Sequence, residues 1–361
     1  MGGSGEAFRA LFPVLERVAY LNAGTDGPVP RRAAEAAAER TRTELERGRS
    51  GREHSASAHE LVGRLRAQAA ALLGASSQEV AITHSTTDGI NTVISGLGLE
   101  PGDEVLTSDE EHPGLLAPLA AACRRDGVEV RLAPFEQLAA AVGPRTRLVA
   151  ASHVSWVSGR VLDTEALAAA GVSLLLDGAQ GLGAVPVDVD RLGCDFYAAS
   201  GQKWLCGPDG IGYLYVRAAR LAHVRAPWPS FVSLEDPQRA LELPLHPDAR
   251  RFDMGVVSGP VATWSLASLE LLGEAGWPWL HERSLRLARA LVELLASRGL
   301  EVAARGDSTL VSWRSPDPAA DVERLAGEGI VVRAIPGAGL VRASVGAWSS
   351  ERELERLAAR A

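Results

Sequence analysis

The chain has 361 residues, more than one simple hydrophobic core usually supports, so two domains in close contact are expected. Hydrophobic residues make up 46% and charged residues 23%, which is the composition of a folded globular protein. The net charge of -8 argues against a nucleic-acid-binding surface, and no apolar run approaches the roughly 18 residues that a membrane span needs.

The start of the chain, MGGSGEAFRALF, lacks the basic region and apolar stretch of a secretory signal. Cys123, Cys194 and Cys206 are an odd and sparse set that does not suit a disulfide framework, so a cytoplasmic protein is expected. No two cysteines have metal-ligand spacing and the histidines form no H-x-x-H cluster, so no metal site is predicted.

The first part of the chain alternates between helical stretches and short apolar strands. Helices are predicted at Arg32–Arg47 and His59–Leu73, which are rich in Ala, Leu, Glu and Arg. Several strands are continuous apolar runs, which are typical of strands buried on both faces. We therefore predict an α/β fold with a largely parallel, doubly wound sheet. The predicted strands are Val80–Thr83, Glu104–Thr107, Glu129–Leu132, Leu148–Ser152, Ser173–Leu176, Phe196–Ala199 and Ile211–Val216.

A proline-rich segment at 225–255 interrupts this alternation and predicts a long loop. The elements beyond it predict a smaller C-terminal α+β domain, against which the arm Glu6–Val18 is expected to pack. The resulting division is a large domain at 20–250 and a small domain formed by 1–19 and 251–361. The later elements are helices Pro260–Leu272, His281–Ser297 and Glu351–Ala361, and strands Thr309–Trp313 and Leu340–Ser344.

Five of the predicted strands are followed by polar or aromatic residues. Ligands of open α/β sheets bind at the carboxyl ends of the strands, so these residues are expected to converge on one site. Each segment alone also has an ordinary explanation, because a Ser-Thr-Thr-Asp run caps helices and an Asp after a strand is often a turn residue. Their order and spacing favour a functional site. The segments are His84–Gly89, Glu110–Pro113, His153–Trp156, Asp177–Gln180 and Ser200–Trp204.

Three of these residues suit a flat, anionic cofactor that carries an aldehyde. Lys203 can form an imine with the aldehyde if its surroundings favour the neutral amine. Asp177 can hold a protonated pyridine nitrogen and so keep the ring able to accept electrons. His112 can lie against the face of the ring. We assign catalytic roles to these three, although each in isolation is also compatible with a turn or surface position.

A second group suits the phosphate and the phenolic oxygen of such a cofactor. Thr86 and Thr87 begin a predicted helix, where free backbone N–H groups and the helix dipole favour a phosphate. Ser200 and Gln202 can add neutral donors to the phosphate, and Gln180 can donate to the phenolic oxygen.

Six segments resemble the class V aminotransferase family of fold-type I enzymes that use pyridoxal 5'-phosphate (PLP). This family includes cysteine desulfurases, selenocysteine lyases and isopenicillin-N-epimerase-like proteins. The resemblance implies a large domain with a mostly parallel seven-stranded sheet, a smaller C-terminal α+β domain, and a homodimer in which the RFDMG segment reaches the neighbouring site. The segments are YLNAGTDGPVP, THSTTDGIN, EEHPG, HVSWVSG, LLLDGAQ and SGQKWLCGPDGIGYLYVR.

The resemblance also implies PLP as the cofactor and assigns site residues. Lys203 matches the Schiff-base lysine, Asp177 the pyridinium partner and His112 the ring-stacking residue. Arg342 matches the arginine that binds the substrate α-carboxylate, and Asn22 is expected near the substrate. The residues that match the ligands of the phosphate and the phenolic oxygen are Thr86, Thr87, Ser200 and Gln180.

Two departures from the family pattern bear on the reaction. The family often has histidine directly before the lysine, where this chain has Gln202. In cysteine desulfurases a longer loop carries the sulfur-accepting cysteine, but the segment Arg333–Arg342 has neither the length nor a cysteine. A desulfurase reaction through a protein persulfide is therefore not expected.

These observations predict a PLP-dependent enzyme that acts on a small amino acid. The favoured reaction is that of a carbon–sulfur lyase, similar to cysteine desulfurases but without the persulfide cysteine loop. An aminotransferase or amino-acid epimerase of the same family is the alternative, because these reactions differ by the placement of one or two groups. A PLP-fold binding protein without catalysis is disfavoured, because Lys203, Asp177, His112 and Arg342 are all present.

Overall fold

The computed structural model describes residues 5–361. The strands are β1 (Ala19–Tyr20), β2 (Val80–Thr83), β3 (Glu104–Ser108), β4 (Glu129–Ala133), β5 (Thr146–Ser152), β6 (Ser173–Asp177), β7 (Phe196–Ser200), β8 (Gly212–Val216), β9 (Leu310–Arg314), β10 (Ile330–Val331), β11 (Arg333–Ile335) and β12 (Leu340–Ser344). The helices are α1 (Gly5–Arg9), α2 (Arg31–Arg47), α3 (Gly51–Leu73), α4 (Thr86–Gly96), α5 (Pro113–Asp126), α6 (Leu138–Ala141), α7 (Thr164–Ala169), α8 (Gly259–Ala275), α9 (Trp277–Ser297), α10 (Pro318–Gly327) and α11 (Glu351–Ala358). None of these helices is long and apolar enough to cross a membrane.

The strands β2 to β8 form one seven-stranded sheet in the order β2-β8-β7-β6-β5-β3-β4. Neighbouring strands are parallel except at β8, which is antiparallel to both β2 and β7. Helices α3 and α8 pack on one face and α4 and α5 on the other. Because both faces are covered, Leu174, Leu175 and Leu176 in β6 are all buried, as their apolar run predicts. The predicted α/β fold with a largely parallel sheet is confirmed.

A second, antiparallel sheet in the order β11-β12-β9 lies near the end of the chain and is covered by α9 and α11. The N-terminal arm joins this part of the molecule, because β1 pairs in parallel with β10. Arg9 of α1 also forms an ion pair of 2.6 Å with Glu353 of α11. The division at residue 250 stays a prediction, and α8, which follows it, packs against α2 and α3 beside the large sheet.

Several predicted boundaries differ from the observed ones. Helix α3 begins at Gly51 and not at His59, α9 begins at Trp277 and not at His281, and α11 ends at Ala358. The proline-rich segment contains short 3-10 turns, such as Pro237–Glu242, and no longer element. Strands β1, β10 and β11 were not predicted, since runs of two or three residues carry no hydrophobic period.

Candidate active site

A cavity of about 250 Å³ lies at the carboxyl ends of the parallel strands. It brings together residues that follow β2, β3, β6 and β7 in the chain. Every predicted cofactor-binding or catalytic residue lines it. They are Thr86, Thr87, His112, Asp177, Gln180, Ser200, Gln202 and Lys203.

Lys203 lies in the turn after β7 and is the only lysine in the chain. Burial lowers the pKa of Lys203 to about 8, while the nearby charge of Asp177 raises it and those of Arg342 and Arg333 lower it. The neutral amine is therefore much more accessible near neutral pH than it is for an ordinary lysine. No other lysine side chain is therefore available to form an imine with the aldehyde.

Asp177 ends β6 and is 5% exposed. One carboxylate oxygen, Oδ1, accepts a hydrogen bond of 2.9 Å from the backbone N–H of Ala179. Burial raises the pKa of Asp177, opposed by the charge of Lys203 and by this N–H. A buried carboxylate at the base of the cavity is a suitable partner for a protonated pyridine nitrogen.

The N-terminus of α4 suits the phosphate of the cofactor. The Ser85 side chain caps the helix by accepting from the Asp88 N–H at 3.1 Å. Thr86 Oγ1 and Ser200 Oγ are buried without a hydrogen-bond partner among the described residues. Buried hydroxyls normally have a partner, so these two atoms and the helix terminus fit an anionic group held in the cavity.

Contacts with Gly114 and Trp156 hold the ring of His112 in place. Its Nδ1 accepts from the Gly114 N–H at 3.0 Å at the start of α5, and its ring meets Trp156 edge-on with centroids 4.8 Å apart. Burial lowers the pKa of His112 to about 4, and the charges of Lys203, Arg333 and Arg342 act in the same direction. A neutral, fixed imidazole is suited to lie against the flat face of a pyridine ring.

Glu111 anchors the turn that carries His112. Its buried carboxylate accepts hydrogen bonds from the Ser108 hydroxyl and from both the N–H and the hydroxyl of Ser152 at the end of β5. Burial raises the pKa of Glu111 to about 7 despite these hydrogen bonds. The sequence analysis did not single out Glu111, because an acidic residue in a predicted loop carries no sign of burial.

Gln180 has a fixed orientation. Its Nε2 donates to the Gly24 carbonyl at 2.7 Å, and its Oε1 accepts from Trp204 Nε1 at 3.0 Å. Since the indole N–H can only donate, Trp204 determines which end of the amide is the donor. One N–H of the Gln180 amide is left for a ligand, as the predicted contact with a phenolic oxygen requires.

Arg342 and Asn22 lie behind the cavity wall. Arg342 is fully buried, and its Nη1 donates to the Trp156 carbonyl at 2.6 Å, whereas its Nε and Nη2 have no partner among the described residues. A Cβ on Gly24 would lie 2.7 Å from Arg342 Nη2, so any side chain at position 24 would press against that edge of the guanidinium. Asn22 accepts from the Thr25 hydroxyl at 2.9 Å and so supports a residue that does line the cavity.

Sequence reasoning missed a second arginine. Arg333 lines the cavity and lies directly opposite Arg342 in the β11–β12 pair, so both side chains leave the same face of the sheet. Its Nη1 donates to Thr25 Oγ1 at 2.8 Å, and its guanidinium lies 5.9 Å from the ring centroid of Trp156. Like charges opposite each other destabilise a sheet, so this arrangement indicates an anionic ligand. In the sequence, the turn that separates Arg333 from Arg342 could have indicated that the two arginines lie side by side.

The match of this chain to a sequence-family model agrees with the geometry of the cavity. The profile described as "Aminotransferase class-V" matches residues 19–357. The chain belongs to the class-V aminotransferase family.

Two proteins similar in sequence to this chain are named for different reactions. Isopenicillin N epimerase from Streptomyces clavuligerus is 29% identical over an alignment of 390 positions that covers 94% of this chain and 93% of the epimerase. Cysteine desulfurase from Salmonella typhimurium is 37% identical over an alignment of 246 positions that covers 62% of this chain and 60% of the desulfurase.

The solved structures of C-DES are similar to this class-V family member over nearly the whole chain. A C-DES mutant with glycine covalently linked to its PLP cofactor has 29% identity and a TM-score of 0.92, covering 98% of each chain. Another structure, described as the cystine C–S lyase C-DES with its reaction product cysteine persulfide, has 29% identity and a TM-score of 0.91, covering 97% of this chain and 98% of C-DES. This class-V family member is therefore a PLP-dependent, fold-type I enzyme that acts on amino acids.

Proposed function

We propose that this enzyme is a carbon–sulfur lyase that cleaves the Cβ–S bond of a cystine-like amino acid by β-elimination. The observation that carries the proposal is the shape of the β11–β12 hairpin. It places Arg333 at the cavity and Arg342 directly behind the cavity wall, and no cysteine is among the described residues that line the cavity. The likeness to C-DES, described as a cystine C–S lyase, supports the same reaction class.

The site residues have distinct roles in this proposal. PLP supplies an electron sink at Cα when it is bound. The unpaired Nε and Nη2 of Arg342 bind the substrate α-carboxylate and so orient the Cα–H bond. The amine of Lys203 removes the Cα proton, for which its lowered pKa is suited. Asp177 keeps the pyridine nitrogen protonated, and His112 fixes the plane of the ring.

The elimination balances with water as the only co-reactant. Lys203 takes the Cα proton, the Cβ–S bond breaks, and its electron pair leaves with the sulfur. With cystine and water, the products are pyruvate, ammonia and cysteine persulfide. The persulfide forms on the leaving amino acid, so no enzyme cysteine has to accept sulfur.

Cys206 is the cysteine nearest to the site and is unsuited to accept sulfur. It is 1% exposed, and burial raises the pKa of its thiol far above the ordinary value, so it remains protonated. Its carbonyl oxygen accepts from Trp264 Nε1 and the Ser268 hydroxyl, which fixes the turn after Lys203. Both bonds go to the backbone carbonyl, so they do not depend on the thiol of Cys206.

The test is pyruvate formation from cystine by the purified holoenzyme. A variant with Cys123, Cys194 and Cys206 changed to Ala should keep turnover within about threefold, because no thiol takes part in the reaction. The Lys203→Ala variant should lose it. Absence of pyruvate with the wild type, or loss of turnover in a folded, PLP-loaded cysteine-free variant, would overturn the proposal.

Epimerisation is a second candidate because the match to isopenicillin N epimerase covers almost the whole of both chains. An epimerase must return the Cα proton on the opposite face. Incubation of amino acids in deuterated water, followed by chiral analysis, would detect inverted product that carries deuterium. Inversion without pyruvate would favour the epimerase over the lyase, and formation of a keto acid without sulfur release would favour an aminotransferase.

We also propose a cytoplasmic homodimer. Apolar side chains are exposed along the proline-rich segment and just after it, as expected for an interface. The three cysteines are free in the structure, which fits a reducing compartment. The exposed residues are Trp228, Phe231, Leu241, Leu243 and Val256.

A further inference from the structure

The mouth of the cavity carries a carboxylate that the reaction described above does not use. Asp26 lines the cavity, and its backbone is fixed from both sides. The Tyr20 hydroxyl donates to the Asp26 carbonyl at 3.0 Å, and the next residue, Gly27, donates its N–H to the Gln202 carbonyl at 2.7 Å. A Cβ on Gly27 would lie 2.1 Å from the Lys203 carbonyl oxygen, so this turn packs directly on the lysine turn.

The side chain of Asp26 has no hydrogen bond or ion pair with any of the residues 5–361. Burial raises its pKa, as does the charge of Asp209, while the charges of Lys203 and Arg333 lower it. Arg333 does not pair with it, since its Nη1 is bonded to Thr25 and its guanidinium lies against Trp156. Asp26 is exposed to solvent, so its carboxylate lies at the mouth of the cavity with a free hydrogen-bonding edge.

Asp26 and Arg333 together present opposite charges at one opening. A substrate whose far end carries an ammonium and a carboxylate group would meet both charges with the correct sign. A simple alkyl or thiol end would leave both without a partner. Charged groups of this kind serve specificity, because a wrong ligand leaves them desolvated and unpaired.

We infer that Asp26 is a specificity residue that binds the ammonium group of a second amino-acid head on the substrate, with the carboxylate of that head facing Arg333. The inference rests on the proposed lyase function and narrows its substrates to molecules with two such heads, of which cystine is the simplest disulfide. Amino acids with one head are expected to be poor substrates.

Three disulfides of L-cysteine test the contributions of the far ammonium and the far carboxylate one at a time. L-Cystine carries both an ammonium and a carboxylate at the far end, the mixed disulfide with cysteamine carries only the ammonium, and that with 3-mercaptopropionate only the carboxylate. Affinity is measured with the holoenzyme from the change in cofactor absorbance on mixing, which needs no turnover, and kcat/KM from pyruvate formation.

The Asp26→Asn variant should bind cystine and the cysteamine disulfide about tenfold more weakly, because a charge-assisted hydrogen bond is lost. Its affinity for the mercaptopropionate disulfide should be unchanged or higher. The control is Asp209→Asn, which removes a nearby charge from outside the cavity wall and should change all three affinities by less than about twofold. The Asp26→Glu variant should recover part of the loss.

An equal loss for all three ligands would show that Asp26 only shapes the turn, and no loss for any would show that it does not bind substrate; either result overturns the inference. Failure of the lyase proposal looks different. Without pyruvate from any ligand, but with selective loss of binding in Asp26→Asn, the function is wrong and the role of Asp26 stands. With pyruvate from all three at equal efficiency, the function stands and the inference is wrong.

Discussion

At the scale of single residues, the site depends on groups whose charge is set by burial. Lys203 and His112 both have a pKa below the ordinary value because burial disfavours their cationic forms, while burial raises the pKa of Asp177 and Glu111. At neutral pH the imidazole of His112 is therefore neutral, and the amine of Lys203, although still mostly protonated, is neutral far more often than that of an ordinary lysine. A cofactor that binds through an imine and a stacked ring needs both.

The lowered pKa of Lys203 predicts how the stability of the apoenzyme changes with pH. The unfolded chain has the ordinary value of 10.5 and the folded chain about 8, so between these values the unfolded state binds more protons. The free energy of unfolding of the wild type should therefore rise with pH over this interval relative to Lys203→Met. Below pH 8 the variant should be more stable, by at most about 3 kcal/mol.

Urea unfolding of both apoproteins at pH 7 and pH 10 measures this difference. The Arg191→Met variant removes an exposed cation and is the control, since its offset from the wild type should be the same at both pH values. A pH-independent offset for Lys203→Met as well would mean that burial does not disfavour the charged amine.

At the scale of elements, the large sheet was predictable, but of the β11–β12 hairpin only β12 was. Continuous apolar runs such as Leu174–Leu176 predicted the strands, and the polar residues after them predicted the cofactor side of the cavity. The direction of β8 was not predictable, because apolar patterning does not encode strand direction. Arg333 and Asp26 were missed because each reaches the cavity from a segment with no periodicity, and only the fold brings them to the lysine turn.

Arg342 of the β11–β12 hairpin is expected to contribute to substrate binding but not to the stability of the folded apoenzyme. Arg342→Met should raise KM for the substrate by about 100-fold, because the partner of the α-carboxylate is lost. The free energy of unfolding of the apoenzyme should stay the same or rise, since the change removes a buried cation that faces Arg333 and has no counter-ion within residues 5–361.

Steady-state kinetics of the holoenzyme measure KM, and urea unfolding of the apoenzyme prepared from it measures the free energy of unfolding. Arg314→Met, at the exposed end of β9 in the same sheet, is the control and should leave KM unchanged. An unchanged KM in Arg342→Met would place the carboxylate site elsewhere, and a large loss of stability would give Arg342 a structural role.

At the scale of the whole molecule, the exposed apolar residues of the proline-rich segment predict association. The wild type should sediment as a dimer, and changing Phe231, Leu241 and Val256 to Ser should shift it towards monomer and lower turnover, because the buried apolar contact is lost. Leu132→Ser on the edge strand β4 is the control, since it removes a similarly exposed side chain far along the chain from this segment. A fully active monomeric wild type would contradict the prediction.

The pairing of β1 with β10 has a consequence for how the enzyme is made. Residues 19–26, which carry Asp26, are held by residues 330–344, because Ala19 pairs with Ile330 and the Ser344 N–H donates to the Leu21 carbonyl at 2.7 Å. A nascent chain has already presented Lys203 and the large sheet when residues 330–344 leave the ribosome. The substrate end of the site thus forms only after these residues have been synthesised, and a chain that terminates before Arg333 lacks both arginines of the hairpin.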